Sequence, residues 1–338
     1  MAGVPSPNYL TLSDIAKQCH NQELVAMVDE FDKPTTLFSA MPWKQATDAL
    51  RDVSGKVTAY PSAQYVGLDL GVKADKGNWT QSEEGLAMLE SWAEINEKTY
   101  NVSPHKEATR WENDRMHIRA MAMAAEEGLL YGNPKTNPAQ PKGFMPRFTK
   151  VTDFNRVASG QKYDYCTLSA GGSTANGESS ILIIAKGGMA PTLLYPRYQE
   201  NNGLMYRHFD FENALDVNGG NVRIAKSQFQ ITFGLSIRDT RTAVRVANID
   251  TSNATSIGNI RDALFEAVAA IPREYKSSIE MYTTKKVILE LRKNYANLVN
   301  PVTYDPAGKG KNSYGDILFD GFILHECESM LDTEAVVS

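Results

Sequence analysis

Three cysteines in 338 residues, Cys19, Cys166 and Cys327, are too few, too scattered and odd in number for a disulfide framework. None sits at C-x-x-C spacing, so neither a zinc ribbon nor a dithiol redox motif is present, and a reducing compartment fits. Basic charge is short as well: 35 Lys and Arg stand against 40 Asp and Glu, for a net charge of −5 and an isoelectric point near 5.7. A protein that grips nucleic acid through its phosphates shows a basic stripe or tail, and this chain has neither. Lys309 and Lys311 lie among glycines and read as a flexible loop. No run approaches the ~20 apolar residues that span a bilayer. Met1-Ala2-Gly3-Val4-Pro5 lacks the basic-then-apolar pattern of a signal peptide.

Catalytic signatures are missing too. There is no G-x-G-x-x-G after a strand, no phosphate-binding G-x-x-x-x-G-K-[ST], no H-E-x-x-H and no G-x-S-x-G. Gly171 to Gly177 is glycine-rich, but no lysine or helix start follows, so it reads as a loop. His20, His105, His117, His208 and His325 never fall at i, i+3 or i, i+4, which argues against a metal site. Cys166, His208 and Asp210 can be drawn as a nucleophilic triad, although cysteine is also a common small buried hydrophobe. The pairs Glu83-Glu84 and Glu126-Glu127 are adjacent in sequence, do not face one another, and read as solvated. No catalytic residue, cofactor or metal is expected, and the chain does not read as an enzyme.

What is present is an ordinary globular composition: 42% hydrophobic, 9% aromatic and 22% charged residues, enough for one large domain or two moderate ones. Ser13-Asp14 starts a helical stretch in which Leu24, Val25, Val28 and Phe31 recur at helical spacing. It reads either as a terminal helix on the domain's own core or as an arm lying on a neighbour. From Met41 to Gln81, Pro42, Pro61, Gly55, Gly67, Gly71 and Gly77 break regular structure. Too few apolar residues lie between them for an independent core, so an extended projecting hairpin fits. Trp43, Tyr60, Tyr65 and Trp79 argue against disorder. Gly85 to Glu97 reads as a strand.

The clearest element is a helix over 104–130, with Ser103 as cap and Pro104 at the first position. Trp111, Ile118, Ala122, Ala125 and Leu129 form its apolar stripe, interrupted by Arg115 and widened by Met116, Ala120 and Met123. Arg110, Asp114, Glu126 and Glu127 take the polar face. Ser180 to Ala185 is a buried strand, and Phe229 to Ile249 gives two strands about a turn at Arg238-Asp239-Thr240-Arg241. Helices over 257–271 and 284–298 and a closing strand pair, 317–319 and 322–327, complete the reading.

The order of elements and several strings resemble the major capsid proteins of short-tailed, epsilon-15-like bacteriophages. The strings are Ala87-Met88-Leu89-Glu90, Leu129-Leu130-Tyr131-Gly132-Asn133, Ser179-Ser180-Ile181 with Lys186-Gly187-Gly188 and Tyr195-Pro196, Gly234-Leu235-Ser236-Ile237-Arg238-Asp239 leading to Asn248-Ile249-Asp250, and Phe319-Asp320-Gly321-Phe322-Ile323-Leu324. Lys186-Gly187 replaces the family's frequent Trp-Gly, and the hairpin region carries its own insertion around Ala46 to Val53.

The resemblance implies an α+β, Hong Kong 97-like capsid fold: an N-terminal arm (1–40), a long hairpin or E-loop (41–82), a peripheral domain with the spine helix (83–160), a β-rich region of the axial domain with shared strands (161–250), and a helical region with closing strands (251–338). Strand connectivity is expected to be permuted relative to the archetype. The implied function is self-assembly into hexamers and pentamers of an icosahedral shell around double-stranded DNA, bound without sequence specificity. The implied place is the virion, after synthesis in a host cytoplasm. Lys56, Tyr60, Tyr65, Leu68, Asp69 and Lys73 of the hairpin and Leu24, Val28 and Phe31 of the arm are the expected inter-subunit contacts. A separate scaffolding protein, a cement or decoration protein and the portal are the expected further partners; no membrane is involved. The competing readings are a tail or decoration subunit and a cytoplasmic α+β hydrolase.

Overall fold

The computed structural model describes residues 10–19, 21–59, 61–152, 165–173, 177–215, 218–252, 254–295, 302–304, 317–319 and 321–338. The helices are α1 (Leu12–Gln18), α2 (Gln22–Phe31), α3 (Leu37–Ala40), α4 (Glu97–Val102), α5 (Lys106–Tyr131), α6 (Ala254–Ala270) and α7 (Lys285–Tyr295). The strands are β1 (Trp43–Gln45), β2 (Arg51–Ala59), β3 (Asn78–Asn96), β4 (Cys166–Ser169), β5 (Ser179–Ala185), β6 (Thr192–Tyr195), β7 (Leu204–His208), β8 (Glu212–Leu215), β9 (Asn221–Ser236), β10 (Ala243–Ile249), β11 (Ile279–Thr283), β12 (Val302–Tyr304), β13 (Ile317–Phe319) and β14 (Phe322–Glu326). Two compact units result. Unit 1 takes Met1–Asp52, Gly85–Phe144 and Leu193–Leu235; unit 2 takes Val53–Glu84, Met145–Thr192 and Ser236–Ser338.

In unit 1 the N-terminal helices are locally well specified. The Thr11 hydroxyl accepts from the Asp14 backbone N–H at 3.3 Å, and the Asp14 carboxylate accepts from Thr11 N–H at 3.1 Å. This reciprocal capping box starts α1 at Leu12, so Ser13 lies inside the helix instead of capping it. The Asn21 side chain caps α2 by accepting from Glu23 N–H at 2.9 Å. The buried residues of α2, Leu24, Met27, Val28 and Phe31, recur at helical spacing. Phe31 lies 5.2 Å from the Phe38 ring, which in turn meets Trp43 at 5.5 Å and Phe233 at 5.1 Å. Glu126 Oε1 accepts from the backbone N–H groups of Thr36, Leu37 and Phe38, at 2.8, 2.7 and 3.3 Å, and so caps the short α3 from the spine helix.

The spine helix α5 runs for 26 residues, about 40 Å at ~1.5 Å per residue. It begins two residues later than its sequence suggests. Ser103 caps the end of α4, through its N–H to the Thr99 carbonyl, and His105 takes the N-cap position of α5. Ile118, Ala122, Ala125 and Leu129 are buried, with Met121 and Leu130 beside them. Trp111 is half-buried and faces Tyr206. Met116 and Met123 are exposed and do not widen the stripe, whereas Asp114 and Glu126, expected on the polar face, are buried. Antiparallel pairing of β3 with β9 runs from Leu86↔Gly234 to Asn96↔Ile224; β7 and β8 also pair with β9, and β1 lies parallel to β6. Gly234 is required by close approach, since a Cβ there would stand 2.9 Å from the Gly85 carbonyl oxygen.

Unit 2 is organised on a sheet of order β12-β13-β14-β11-β5-β10-β4. Its interior strand β5 is antiparallel to both neighbours and buried along its whole length, as a continuous apolar run predicts. Ile181, Ile183, Val244, Val246 and Met281 share one core with Ile260, Leu264 and Val268 of α6 and Val287 and Leu291 of α7. The distal segment is laced into this unit. Glu334 accepts from Ser180 Oγ at 2.6 Å and from Arg245 Nη2 at 2.7 Å, and pairs its backbone with Glu178. Asn248, at φ 58°, donates its side-chain amide to the Val337 carbonyl at 2.8 Å; asparagine tolerates this left-handed conformation better than most residues. No helix is long and apolar enough to cross a membrane among the described residues.

Candidate functional site

The hairpin is the segment least explained by the chain's own packing. β2 and β3 are neighbours in the sheet order, and residues 61–76 between them are exposed throughout. The segment is nevertheless locally ordered. Gly67 O accepts from Leu70 N–H at 3.1 Å, closing a turn over Leu68 and Asp69. Ser62 donates to Asp75 through both its backbone N–H, at 2.8 Å, and its hydroxyl, at 2.7 Å. These donors hold the Asp75 carboxyl below its usual range. At the tip Tyr65 and Leu68 are fully exposed (109% and 107%), and Leu70 and Val72 are also open. Asp69 and Lys73 are exposed beside them. Lys56 is placed by its backbone in β2, and Tyr60 lies outside the described residues.

The base of the hairpin is firmly held. Glu84 on β3 receives two parallel hydrogen bonds from Arg147, Nη1 to Oε1 at 2.8 Å and Nη2 to Oε2 at 2.9 Å, and Arg147 Nη1 also donates to the Tyr165 hydroxyl at 3.2 Å. Both charged side chains are buried. Glu84, expected to be solvated, is therefore half of a buried bidentate ion pair, the strong geometry for a carboxylate. Gly55 faces the Trp79 ring, whose Cε3 would lie 3.3 Å from an added Cβ. The segment from Met41 to Trp43 does not project: Met41 and Trp43 are buried in unit 1, where β1 pairs with β6.

The arm contradicts its expected role. Leu24, Val28 and Phe31 are 0 to 1% exposed inside unit 1, so they have no surface left to offer a neighbour. Their heptad-like spacing marks an amphipathic helix and cannot by itself say which body covers the apolar face. The buried carboxylates Glu84, Asp114 and Glu126 were missed for a related reason. Each accepts hydrogen bonds from residues distant in sequence, and no local spacing announces that.

Nothing resembling a nucleophile is assembled at Cys166. Its thiol is pushed up to about 12 by burial and by the charge of Glu266, which leaves it protonated and inert near neutral pH. His208 belongs to a different set: its Nδ1 lies 3.0 Å from Ser227 Oγ, and Asp114 Oδ2 accepts from the hydroxyls of Tyr206 at 3.0 Å and Ser227 at 3.2 Å. Among the described residues no group of three His, Cys, Asp or Glu could hold a metal ion.

An exposed, apolar-tipped hairpin, a 26-residue helix and two β-sheets, with no metal-ligating group of three side chains among the described residues, are the features of a structural α+β subunit. The chain matches the family model "Major capsid protein GP7" over residues 20–338, and it belongs to that family. It is a shell-forming capsid protein, a component of the phage virion. A chain of the near-atomic cryo-EM structure of bacteriophage Epsilon15 superposes with a TM-score of 0.60 at 18% identity, covering 100% of this chain and 99% of that one. The fold is the α+β, Hong Kong 97-like one that the sequence resemblance implied. Two more distant likenesses are the capsid of an empty GTA particle, with a TM-score of 0.42 at 9% identity over 64% of this chain and 90% of that one, and a chain of Mycobacterium phage Adephagia, with a TM-score of 0.42 at 11% identity over 63% and 90%. No curated protein matches the sequence.

Proposed function

We propose that copies of this chain form hexamers and pentamers of an icosahedral shell around double-stranded DNA, and that the hairpin tip lies across an adjacent copy. The observation that carries this reading is the exposure of residues 61–76 with Tyr65, Leu68, Leu70 and Val72 open to solvent. Fully burying one such side chain contributes roughly 1.5–3 kcal/mol. Several of them, repeated at every subunit, give a shell whose single contacts are weak enough to reverse during assembly. On this reading Tyr60, Tyr65 and Leu68 supply the apolar contact, with Lys56, Asp69 and Lys73 as rim charges.

The protein has no catalytic role on this reading, consistent with a protonated Cys166. The net charge of −5 suits a wall past which DNA slides during packing. The peripheral domain over 83–160 with the spine helix, and the β-rich axial region over 161–250, rest on the family resemblance. A separate scaffolding protein, a cement protein and a portal are partners that rest on the family resemblance alone.

The test is deletion of Lys56 to Gly71, followed by size-exclusion chromatography and electron microscopy. The expected product is a folded subunit that forms no capsomers, shells or tubes. Normal shells from the deleted protein would overturn the hairpin role.

A further inference from the structure

Unit 1 contains a cavity of about 340 Å³ lined by Gln22, Glu23 and Ala26 of α2, by Glu107, Arg110, Trp111 and Asp114 of the spine helix, and by Tyr206 and His208 of β7. We infer that this cavity is a socket for one cationic side chain, the ammonium or guanidinium of a second copy of this chain. The inference rests on the shell-subunit reading above.

Asp114 is the centre of the argument. It is 1% exposed, and its Oδ2 already accepts from Tyr206 and Ser227, whereas Oδ1 has no hydrogen-bond partner. A buried acceptor left unmade is costly, about 1–3 kcal/mol and more for a charged group. The basic neighbours favour the charged carboxylate through the charge they carry but give Oδ1 no hydrogen bond. Arg110 spends its donors on Ser227 Oγ and on the carbonyls of Phe209 and Lys226. His208 Nδ1 stands 3.9 Å from Oδ2 and is engaged with Ser227; burial, then the Arg110 charge, lowers its proton affinity, so it brings no charge near neutral pH.

The remaining lining says what would fit. Three carboxylates, Glu23, Glu107 and Asp114, face one guanidinium, Arg110, an excess of two formal negative charges when all three are ionised. That repels an anion. Burial raises the Asp114 carboxyl above its usual range, and an incoming cation would favour its charged form. The half-buried Trp111 ring is an aromatic wall of the kind that attracts an organic cation, while the Tyr206 ring is already stacked on Phe229 at 5.0 Å. An apolar occupant would leave Oδ1 unmatched. Among the described residues no three ligating side chains are placed for a metal ion.

A second copy is the favoured source because subunits of this family build one shell, and because the exposed hairpin carries Lys73 and Lys76. A lysine on an exposed segment of one copy and a carboxylate-lined socket on another are complementary in charge.

The test is a titration of the unassembled full-length protein with Nα-acetyl-lysine amide, read by tryptophan fluorescence, beside the neutral Nα-acetyl-norleucine amide. The expected result is a saturable change with the lysine probe only. It is absent in Trp111→Phe and weakened at least fivefold in Asp114→Asn and in Glu23→Gln, the latter at the rim where refolding is not at stake. In assembled shells the response should vanish, because the socket is filled. Equal binding of the norleucine probe, unchanged affinity in both carboxylate variants, or an undiminished response in shells overturns the socket. Saturable binding in a protein that never assembles would instead defeat the shell reading and, with it, the second copy as occupant.

Discussion

The N-terminal helices and the hairpin are both short-range, aromatic-containing extensions of the chain, yet they end in opposite environments. In α2 and α3, Leu24, Phe31 and Phe38 are wholly buried, and Glu126 of the spine helix caps α3 through three backbone N–H groups. Between β2 and β3, Tyr65 and Leu68 are wholly exposed, and among the described residues the organisation is local, with the Gly67–Leu70 turn and the Ser62–Asp75 clasp. The difference teaches that an apolar side chain on an extension is a promise of burial, and that a capping partner elsewhere in the same chain decides where the burial happens. The arm found that partner in its own unit.

Substitutions can break this contrast. The largest effect is expected for Phe31→Ala, which should cost the isolated subunit about 3–5 kcal/mol as a large-to-small core change, measured by urea denaturation. A value under ~1 kcal/mol would mean that the arm is not part of the subunit core. Glu84→Gln comes next. It removes the carboxylate charge from a buried bidentate ion pair with Arg147, a loss of about 3 kcal/mol, visible as a lower Tm and as faster hydrogen exchange along β3.

A smaller effect of the opposite sign is expected at Asp32. This residue ends α2, its Oδ1 has no hydrogen-bond partner, and burial, then the Asp29 charge, raises its carboxyl to about 6. The folded state therefore holds a proton that the unfolded chain releases near 3.8, so ionised Asp32 destabilises the protein above pH 6 and the penalty fades as pH falls from 6 to 4. Asp32→Asn should stabilise by on the order of 1–2 kcal/mol at pH 7.5, with no gain at pH 4. A gain that persists at pH 4 would assign the effect to something other than this proton.

The smallest change in subunit stability belongs to the hairpin tip. Tyr65→Ser with Leu68→Ser should alter unfolding by no more than about 0.5 kcal/mol, while the protein concentration needed for shells rises tenfold or more. Light scattering against concentration reads this directly. Stability and assembly falling together would erase the distinction between the two extensions.

How much of this was legible beforehand follows the same division. The spine helix, the buried strand at Ser180 to Ala185, the helix ending near Ile271 and the exposed stretch between β2 and β3 were readable, because each carries its own periodicity or its own breakers. Ser103 as helix cap was misleading: Pro104 lies outside α5, and Ser103 serves α4 instead. Glu84, Asp114 and Glu126 could not be recognised as buried, since their partners Arg147, Tyr206 and Thr36 lie far off along the chain. The hairpin's environment was legible for the converse reason: too few apolar residues and too many turn formers leave little that could bury it.

The interleaved make-up of the two units also constrains how the protein is born. Unit 1 needs residues up to Leu235, and unit 2 needs both Val53–Glu84 and the stretch beyond Ser236. A ribosome must therefore deliver most of the polypeptide before either body can close, and the pairing of β3 with β9 joins residues more than a hundred positions apart. Such a high contact order slows folding and leaves half-made sheets uncovered for longer. The emerging chain thus passes through a window in which unpaired strand edges lie open before their distant partners exist.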